Sequence, residues 1–300
     1  MRGIITPLVT PLSDNDTLDV EGLERLIEHT ISGGVHGIFI LGTTGEFASL
    51  SYKLRRELTK RTSQLVRGRV PLLVGITDSA FTESLNLAKV AADCGADAVV
   101  LAPPYYFSSG QPELLEYLKQ IMEQMPLPLF IYNAPVHTKV IFAPETVKAA
   151  ADIPGVIGMK DSSSNLAYFK QVQYALRDRH DFTFLVGQEE FMSDFVITGG
   201  HGGVNGGSNM FPKLYVELYN ASVTREFEKI VPLQLKVMQV STTIYNVGHY
   251  GSSYLKGLKC ALSVMGICSD FMAEPFHKFK EPERSKIQQL LEDLNYLNLL

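Results

Sequence analysis

One lysine, Lys160, closes an apolar run, Val156, Ile157, Gly158 and Met159, with the length and β-branched start of a buried strand. The chain then turns small and polar with Ser162, Ser163, Ser164 and Asn165 before a helical pattern resumes. An ammonium in such a place loses solvation, which disfavours the charged form and draws its pKa below the ordinary value of about 10.4. A lysine neutral near pH 7 is a nucleophile that adds to a ketone or aldehyde and forms an imine. The plainer alternative is a lysine that leaves the strand and pairs in solvent with Asp161 or another carboxylate.

Other chemistry-bearing residues also end apolar runs. Thr43 and Thr44 sit between Gly42 and Gly45. Two hydroxyls with adjacent backbone N–H groups make a carboxylate cradle, although glycines and threonines also serve an ordinary turn. Tyr106 and Tyr132 each carry a phenol that can relay a proton when its neighbours polarise it, or simply pack at a rim. Between Gly199 and Ser208 six glycines leave almost no side chains, which suits close approach of backbone to a small ligand. That stretch lacks the Gly-Lys-Ser/Thr ending of a phosphate loop. Ser162 to Ser164 read as a loop and helix cap rather than a nucleophile, because no histidine and acid are placed by motif. The seven histidines show no paired metal spacing, so metal-dependent chemistry is not expected.

Composition narrows the setting. A chain of 300 residues with 45% hydrophobic and 20% charged content suits an ordinary globular protein with a sizeable core. Its net charge of −5, with no block of Lys and Arg, argues against nucleic acid and for small-molecule partners. Cys94, Cys260 and Cys268 form neither a metal-type spacing nor an even framework, which fits a reducing compartment. The N-terminus meets Pro7, Pro11, Asp14 and Asp16 too soon for a signal-like core, and no apolar run nears the ~18 residues of a membrane span. Cytoplasm is the expected location, without contact with membrane.

These residues must be positioned by a regular framework. Strand-like runs at residues 4–10, 38–41, 71–76, 98–102, 129–132, 156–160, 183–186 and 202–204 alternate with helical patterns at 20–31, 51–66, 82–93, 112–123, 144–151, 165–176 and 189–198. Strands separated by helices pair in parallel through right-handed crossovers. Eight such units predict an α/β fold, a (β/α)8 TIM barrel, over an open doubly wound sheet, whose G-x-G-x-x-G fingerprint is missing after the first strand. Residues 1–210 form the expected barrel core. Residues 211–300 supply the last barrel helix and a C-terminal helical extension, broken near Pro232, His249 to Gly251, Gly266 and Pro275, packed with the barrel as one unit. In a barrel the site gathers at the carboxyl ends of the strands, where the residues above all fall.

Taken together, Gly3-Ile-Ile-Thr-Pro-Leu, Gly42-Thr-Thr-Gly-Glu, Pro104-Tyr-Tyr, Tyr132-Asn-x-Pro, Gly158-Met-Lys-Asp-Ser and Gly202 resemble, over nearly the whole chain, the dihydrodipicolinate synthase and N-acetylneuraminate lyase family of Schiff-base aldolases. The resemblance implies that Lys160 forms an imine with a 2-oxo acid, usually pyruvate. It further implies that Tyr132 shuttles the proton, that Thr43 and Thr44 hold the carboxylate, and that the backbone at Val204 lines the pyruvate pocket. Tyr106 extends the relay through Thr43 and commonly reaches a neighbouring subunit's site, in a homotetramer or homodimer. No metal or organic cofactor is implied.

The second substrate is less determined. The synthases usually carry an arginine where His137 stands and a glycine where Lys139 stands, and neuraminate lyases more often have Gly-Ser-Thr-Gly at residues 42–45. Positions matching the lysine feedback site of some synthases hold Tyr52, Arg55 and Ser79, so lysine inhibition is not expected. An imidazole does not reproduce the planar fork of a guanidinium. His137, Gly187, Asn205, Gln188 and Ser208 are candidate contacts, and their neutral hydrogen-bonding groups suit a hydroxylated aldehyde or keto-deoxy sugar acid. A phosphosugar isomerase and a non-catalytic 2-oxo acid sensor on the same scaffold are the alternatives from other classes.

Overall fold

The computed structural model describes residues 1–296. Eight strands alternate with helices: β1 Gly3–Pro7, β2 Gly37–Ile40, β3 Leu72–Gly75, β4 Ala98–Leu101, β5 Leu129–Asn133, β6 Val156–Asp161, β7 Thr183–Val186 and β8 Gly202–Gly203. Each pairs in parallel with its sequence neighbour, and β8 returns to β1, closing the barrel that the alternation predicts. The helices that follow the strands are α1 Val20–Ser32, α2 Tyr52–Val66, α3 Phe81–Asp93, α4 Gln111–Met122, α5 Pro144–Ala151, α6 Leu166–Ala175, α7 Met192–Ile197 and α8 Pro212–Thr224. Helix α1 shows why they form: Asp19 caps it by accepting the Gly22 N–H at 2.8 Å, and Leu23, Leu26 and Ile27 bury one face.

Period-two alternation divides the strand residues between two cores. Ile5, Phe39, Leu73, Val100, Phe130 and Leu185 fill the barrel, while Ile4, Ile38, Val74, Val99, Ile131 and Val186 face the helices. The parallel register sets Tyr132 beside Lys160 and Lys160 beside Leu185. Strand β8 contains only two glycines, and a Cβ on Gly202 would lie 1.9 Å from the Gly3 carbonyl oxygen. A side chain there would prevent closure between last strand and first.

Several boundaries differ from the sequence expectation. The first ladder stops at Pro7, and a hairpin of Leu12–Asp14 with Thr17–Leu18 follows it across the barrel end. A one-turn helix, Pro135–Thr138, stands where only a loop is expected, and α7 is shorter than the pattern at 189–198. The extension holds α9 Phe227–Thr243, α10 Ser253–Val264 and α11 Glu281–Tyr296. Helix α9 runs through Pro232 instead of breaking there, because Pro232 faces solvent, where water can satisfy the carbonyl it frees.

Lys259 of α10 is fully buried against the barrel and donates to Glu46 Oε1 at 2.6 Å and to the Thr10 carbonyl at 2.9 Å. The second oxygen of Glu46 accepts the Ala273 N–H at 2.9 Å. The extension is thus ionically tied to the loop after β2. Among the described residues no helix is long and apolar enough to cross a membrane.

Candidate active site

A cavity of about 1030 Å³ opens at the carboxyl ends of the strands, and its wall includes Thr43, Thr44, Tyr132, His137, Lys160 and Val204. Lys160 is only 6% exposed, with Nζ 4.1 Å from the centre of the Tyr132 ring and 5.1 Å from that of Phe39. It does not pair with Asp161. Strand alternation turns that carboxylate to the opposite face, where it accepts from Asn133 Nδ2 at 2.7 Å and Ser163 Oγ at 2.8 Å. Burial pushes the Asp161 carboxyl up, and those hydrogen bonds hold it back.

Tyr132 is buried, and its hydroxyl lies 3.4 Å from Thr43 Oγ1. Burial alone raises a phenol's pKa. The Lys160 charge, with hydrogen bonds from Ser162, Thr43 and Lys160, outweighs it and brings Tyr132 below the usual phenol range. A phenol tuned downward beside an amine is suited to accept and return a proton.

The Gly42 to Glu46 segment is both a turn and a wall of the site. Gly45 N–H and Glu46 N–H donate to the Gly42 and Thr43 carbonyls, and Glu46 takes a left-handed conformation with φ 57°. Thr44 Oγ1 and the Tyr254 hydroxyl are 3.0 Å apart. The two threonine side chains therefore border the cavity within reach of the lysine side of the barrel, an arrangement that can hold an anion through hydroxyls alone.

His137 reaches the wall from the one-turn helix that sequence reading omits. Partial burial, then the Lys160 charge, lowers its pKa below the usual imidazole value. Gly187 and Gln188 line the cavity at the end of β7.

Three candidates do not reach it. Asn205 is fully buried and its Nδ2 donates to the Gly187 carbonyl at 3.1 Å, so Val204 and Gly206 face the cavity in its place. Ser208 is equally buried, donating to the Asn205 carbonyl at 2.6 Å and lying 3.0 Å from Thr6 Oγ1. Tyr106 is 73% exposed, packed edge-on against Phe107 and absent from the wall, whereas Tyr105 lines it. A relay through Tyr106 is not formed within one chain.

The structure adds residues that the sequence reading passed over. Glu189, Tyr245 and Tyr254 border the cavity, and Glu46 takes part through its buried pair with Lys259. Glu189 follows the end of β7 just as Lys160 ends β6, so the strand-end rule could have found it. The tyrosines carry no local signal. On the buried side of α2, Arg55 forms an ion pair with Asp78 at 2.9 Å, its guanidinium 4.9 Å from the Tyr52 ring. No group of His, Cys, Asp and Glu among the described residues is arranged to hold a metal ion.

Comparison with known proteins agrees with this architecture. The model of the dihydrodipicolinate synthetase family matches residues 1–294. A solved structure of dihydrodipicolinate synthase from Bacteroides thetaiotaomicron is 62% identical, with a TM-score of 0.95 over 97% of this chain and 98% of that one. The chloride-inhibited dihydrodipicolinate synthase of Acinetobacter baumannii, solved with pyruvate, is 27% identical, with a TM-score of 0.90 over 98% and 99% of the two chains. An uncharacterised DapA-like lyase of Thermococcus kodakarensis is 32% identical over 98% of this chain and its own full length.

Proposed function

The chain belongs to the dihydrodipicolinate synthetase family, and on that footing we propose that it is a class I lyase that binds pyruvate as an imine on Lys160. The observation that carries this reading is a buried amine that pairs with no carboxylate among the described residues, beside a phenol lowered by that same amine and within one cavity with two threonine hydroxyls. Lys160 Nζ adds to the ketone carbon of pyruvate and water leaves. The resulting iminium draws electrons from the methyl carbon, which loses a proton to give an enamine. Tyr132 takes and returns that proton, with Thr43 fixing its hydroxyl. Thr43 and Thr44 receive the carboxylate. The enamine carbon then attacks an aldehyde, or the reverse sequence cleaves a longer 2-oxo acid. No metal or organic cofactor enters the reaction, so activity is expected to survive dialysis against a chelator.

Borohydride reduction in the presence of pyruvate tests the reading. An adduct mass located on Lys160 is expected; an unmodified Lys160 in folded protein under those conditions refutes it.

For the second substrate, one observation favours a hydroxylated aldehyde or keto-deoxy sugar acid over an aldehyde bearing its own carboxylate. Among the described residues Lys160 is the one Lys or Arg in the cavity wall, and the His137 imidazole is held below its ordinary pKa. Gln188 and Glu190 line the wall instead, and Glu190 can accept from a hydroxyl. A hydroxyl can donate to such groups, which a carboxylate cannot. Comparing aspartate semialdehyde, N-acetylmannosamine and glyceraldehyde with pyruvate separates the two.

The reading extends to a homotetramer in the cytoplasm. The exposure of Tyr106 and Phe107 on one chain, 73% and 79%, supports an interface with a second copy, and three free thiols suit a reducing compartment. Sedimentation equilibrium measures the assembly.

A further inference from the structure

Gly206 and Gly207 belong to the glycine cluster that sequence reading assigned to a ligand's approach, yet tyrosines occupy the space beside them. A Cβ on Gly206 would lie 1.9 Å from the Tyr254 hydroxyl, and one on Gly207 1.8 Å from the Tyr215 hydroxyl. The missing side chains make room for two phenols, one bound to a buried carboxyl group and the other to Thr44. Glu189 Oε1 accepts from Tyr215 at 2.5 Å and from Tyr245 at 3.0 Å, while Oε2 accepts the Gly207 N–H at 3.0 Å. Glu189 is 3% exposed and, among the described residues, pairs with no Lys or Arg. The Tyr245 ring meets the Tyr254 ring edge-on at 4.7 Å, and the Tyr254 hydroxyl reaches Thr44. A contiguous path therefore runs from a buried carboxyl to the proposed carboxylate-binding threonines.

We propose that Glu189 is a positioning residue for the 2-oxo acid: its carboxyl group holds Tyr215 and Tyr245 by hydrogen bonds, Tyr245 packs on Tyr254, which sets Thr44, and the charge of its ionised form works against binding of the substrate carboxylate. The proposal rests on the pyruvate reading above. A charge in a low-dielectric wall acts strongly on a second anion in the same cavity. Burial pushes the Glu189 carboxyl up to about 7, against the Tyr215, Gly207 and Tyr245 hydrogen bonds, and the neighbouring Glu190 charge adds to the rise. The groups facing it are Tyr215 from α8, Tyr245 from the turn after α9, Tyr254 from α10 and Glu190 beside it, none of them cationic. Glu189 thus changes charge across the neutral range, and the affinity for pyruvate should change with it.

The test is the pH profile of KM and kcat for pyruvate in the wild type, Glu189→Gln and Tyr254→Phe. In the wild type KM should rise several-fold as pH climbs from about 6 to about 8.5, on the side where Glu189 ionises. Glu189→Gln should flatten that rise. Tyr254→Phe, which keeps the carboxyl and cuts only the link to Thr44, should raise KM more than it lowers kcat. A Glu189→Gln profile superimposable on the wild type overturns the proposal; should that variant fail to fold, an unchanged KM in Tyr254→Phe overturns it. Borohydride trapping with pyruvate accompanies each measurement. No adduct in the wild type removes the pyruvate reading and this inference together, whereas a normal adduct with an unaltered KM profile removes this inference alone.

Discussion

Lys160 and Tyr132 are register partners on adjacent strands, and the lysine nitrogen stands 4.1 Å from the centre of the phenol ring. Two neighbouring strands of a closed sheet fix that distance, without a loop and without a counter-ion. The proposed imine-forming group and the proposed proton carrier are therefore both held on strands of the barrel rather than on loops.

Replacing Lys160 by Ala should abolish the borohydride-trapped pyruvate adduct and reduce turnover to background. Tyr132→Phe should retain the adduct but lower kcat by about 10²- to 10⁴-fold, the range for loss of a positioned acid–base group. Intact mass after trapping and steady-state kinetics measure the two effects.

Thr44→Val keeps the shape of the side chain and removes the hydroxyl that meets Tyr254 at 3.0 Å. KM for pyruvate should rise about tenfold, in line with ~1 to 1.5 kcal/mol for one lost hydrogen bond. The change should fall on KM more than on kcat, and initial-rate kinetics distinguish them.

His137→Arg introduces the cation that the cavity wall lacks beside Lys160. Charge-assisted hydrogen bonds contribute about 1.5 to 3 kcal/mol. The ratio of kcat/KM for aspartate semialdehyde to that for glyceraldehyde should therefore rise by at least about tenfold. An unchanged ratio means that His137 does not face the second substrate.

Lys259→Met leaves the Glu46 carboxylate buried without its cation, and should destabilise the protein by about 3 to 5 kcal/mol. Adding Glu46→Gln should recover much of that loss, because the uncompensated charge is then gone. Urea unfolding midpoints of the single and double variants give the comparison.

The Glu189 carboxyl binds its proton more tightly in the folded chain, at about 7, than its ordinary value of 4.5. Its contribution is therefore fully present below about pH 4.5 and is lost as pH rises to about 7, on the order of 3 kcal/mol for a shift of that size. Unfolding free energy measured from pH 5 to pH 8 should fall less in Glu189→Gln than in the wild type.

Much of the barrel was legible because each strand is an apolar run bounded by turn residues and each helix repeats its apolar face every three to four positions. Lys160, Tyr132, Thr43 and Thr44 could be read as one cavity because all lie at or just beyond the carboxyl ends of barrel strands, where the chemistry gathers at one face. Asn205 and Ser208 were misread: a strand of two glycines offers no alternation from which to judge what faces inward. Tyr106 was placed by motif, and no period fixes the direction of a loop residue. Glu189 itself follows a strand end, but its cluster could not be read, since its partners lie 26 and 56 residues further along, one in a helix and one in a turn, with no local signal pointing to them.

The salt link between Glu46 and Lys259 also imposes an order in time. A ribosome releasing this chain exposes the carboxylate 213 residues ahead of its cation, a delay of roughly ten to forty seconds at ordinary rates of synthesis. Through that interval the nascent loop bearing both threonines can only wait in water, since sealing it inside would strand a naked charge. The packing of the loop that carries Thr43 and Thr44 thus depends on a helix made near the far end of the chain.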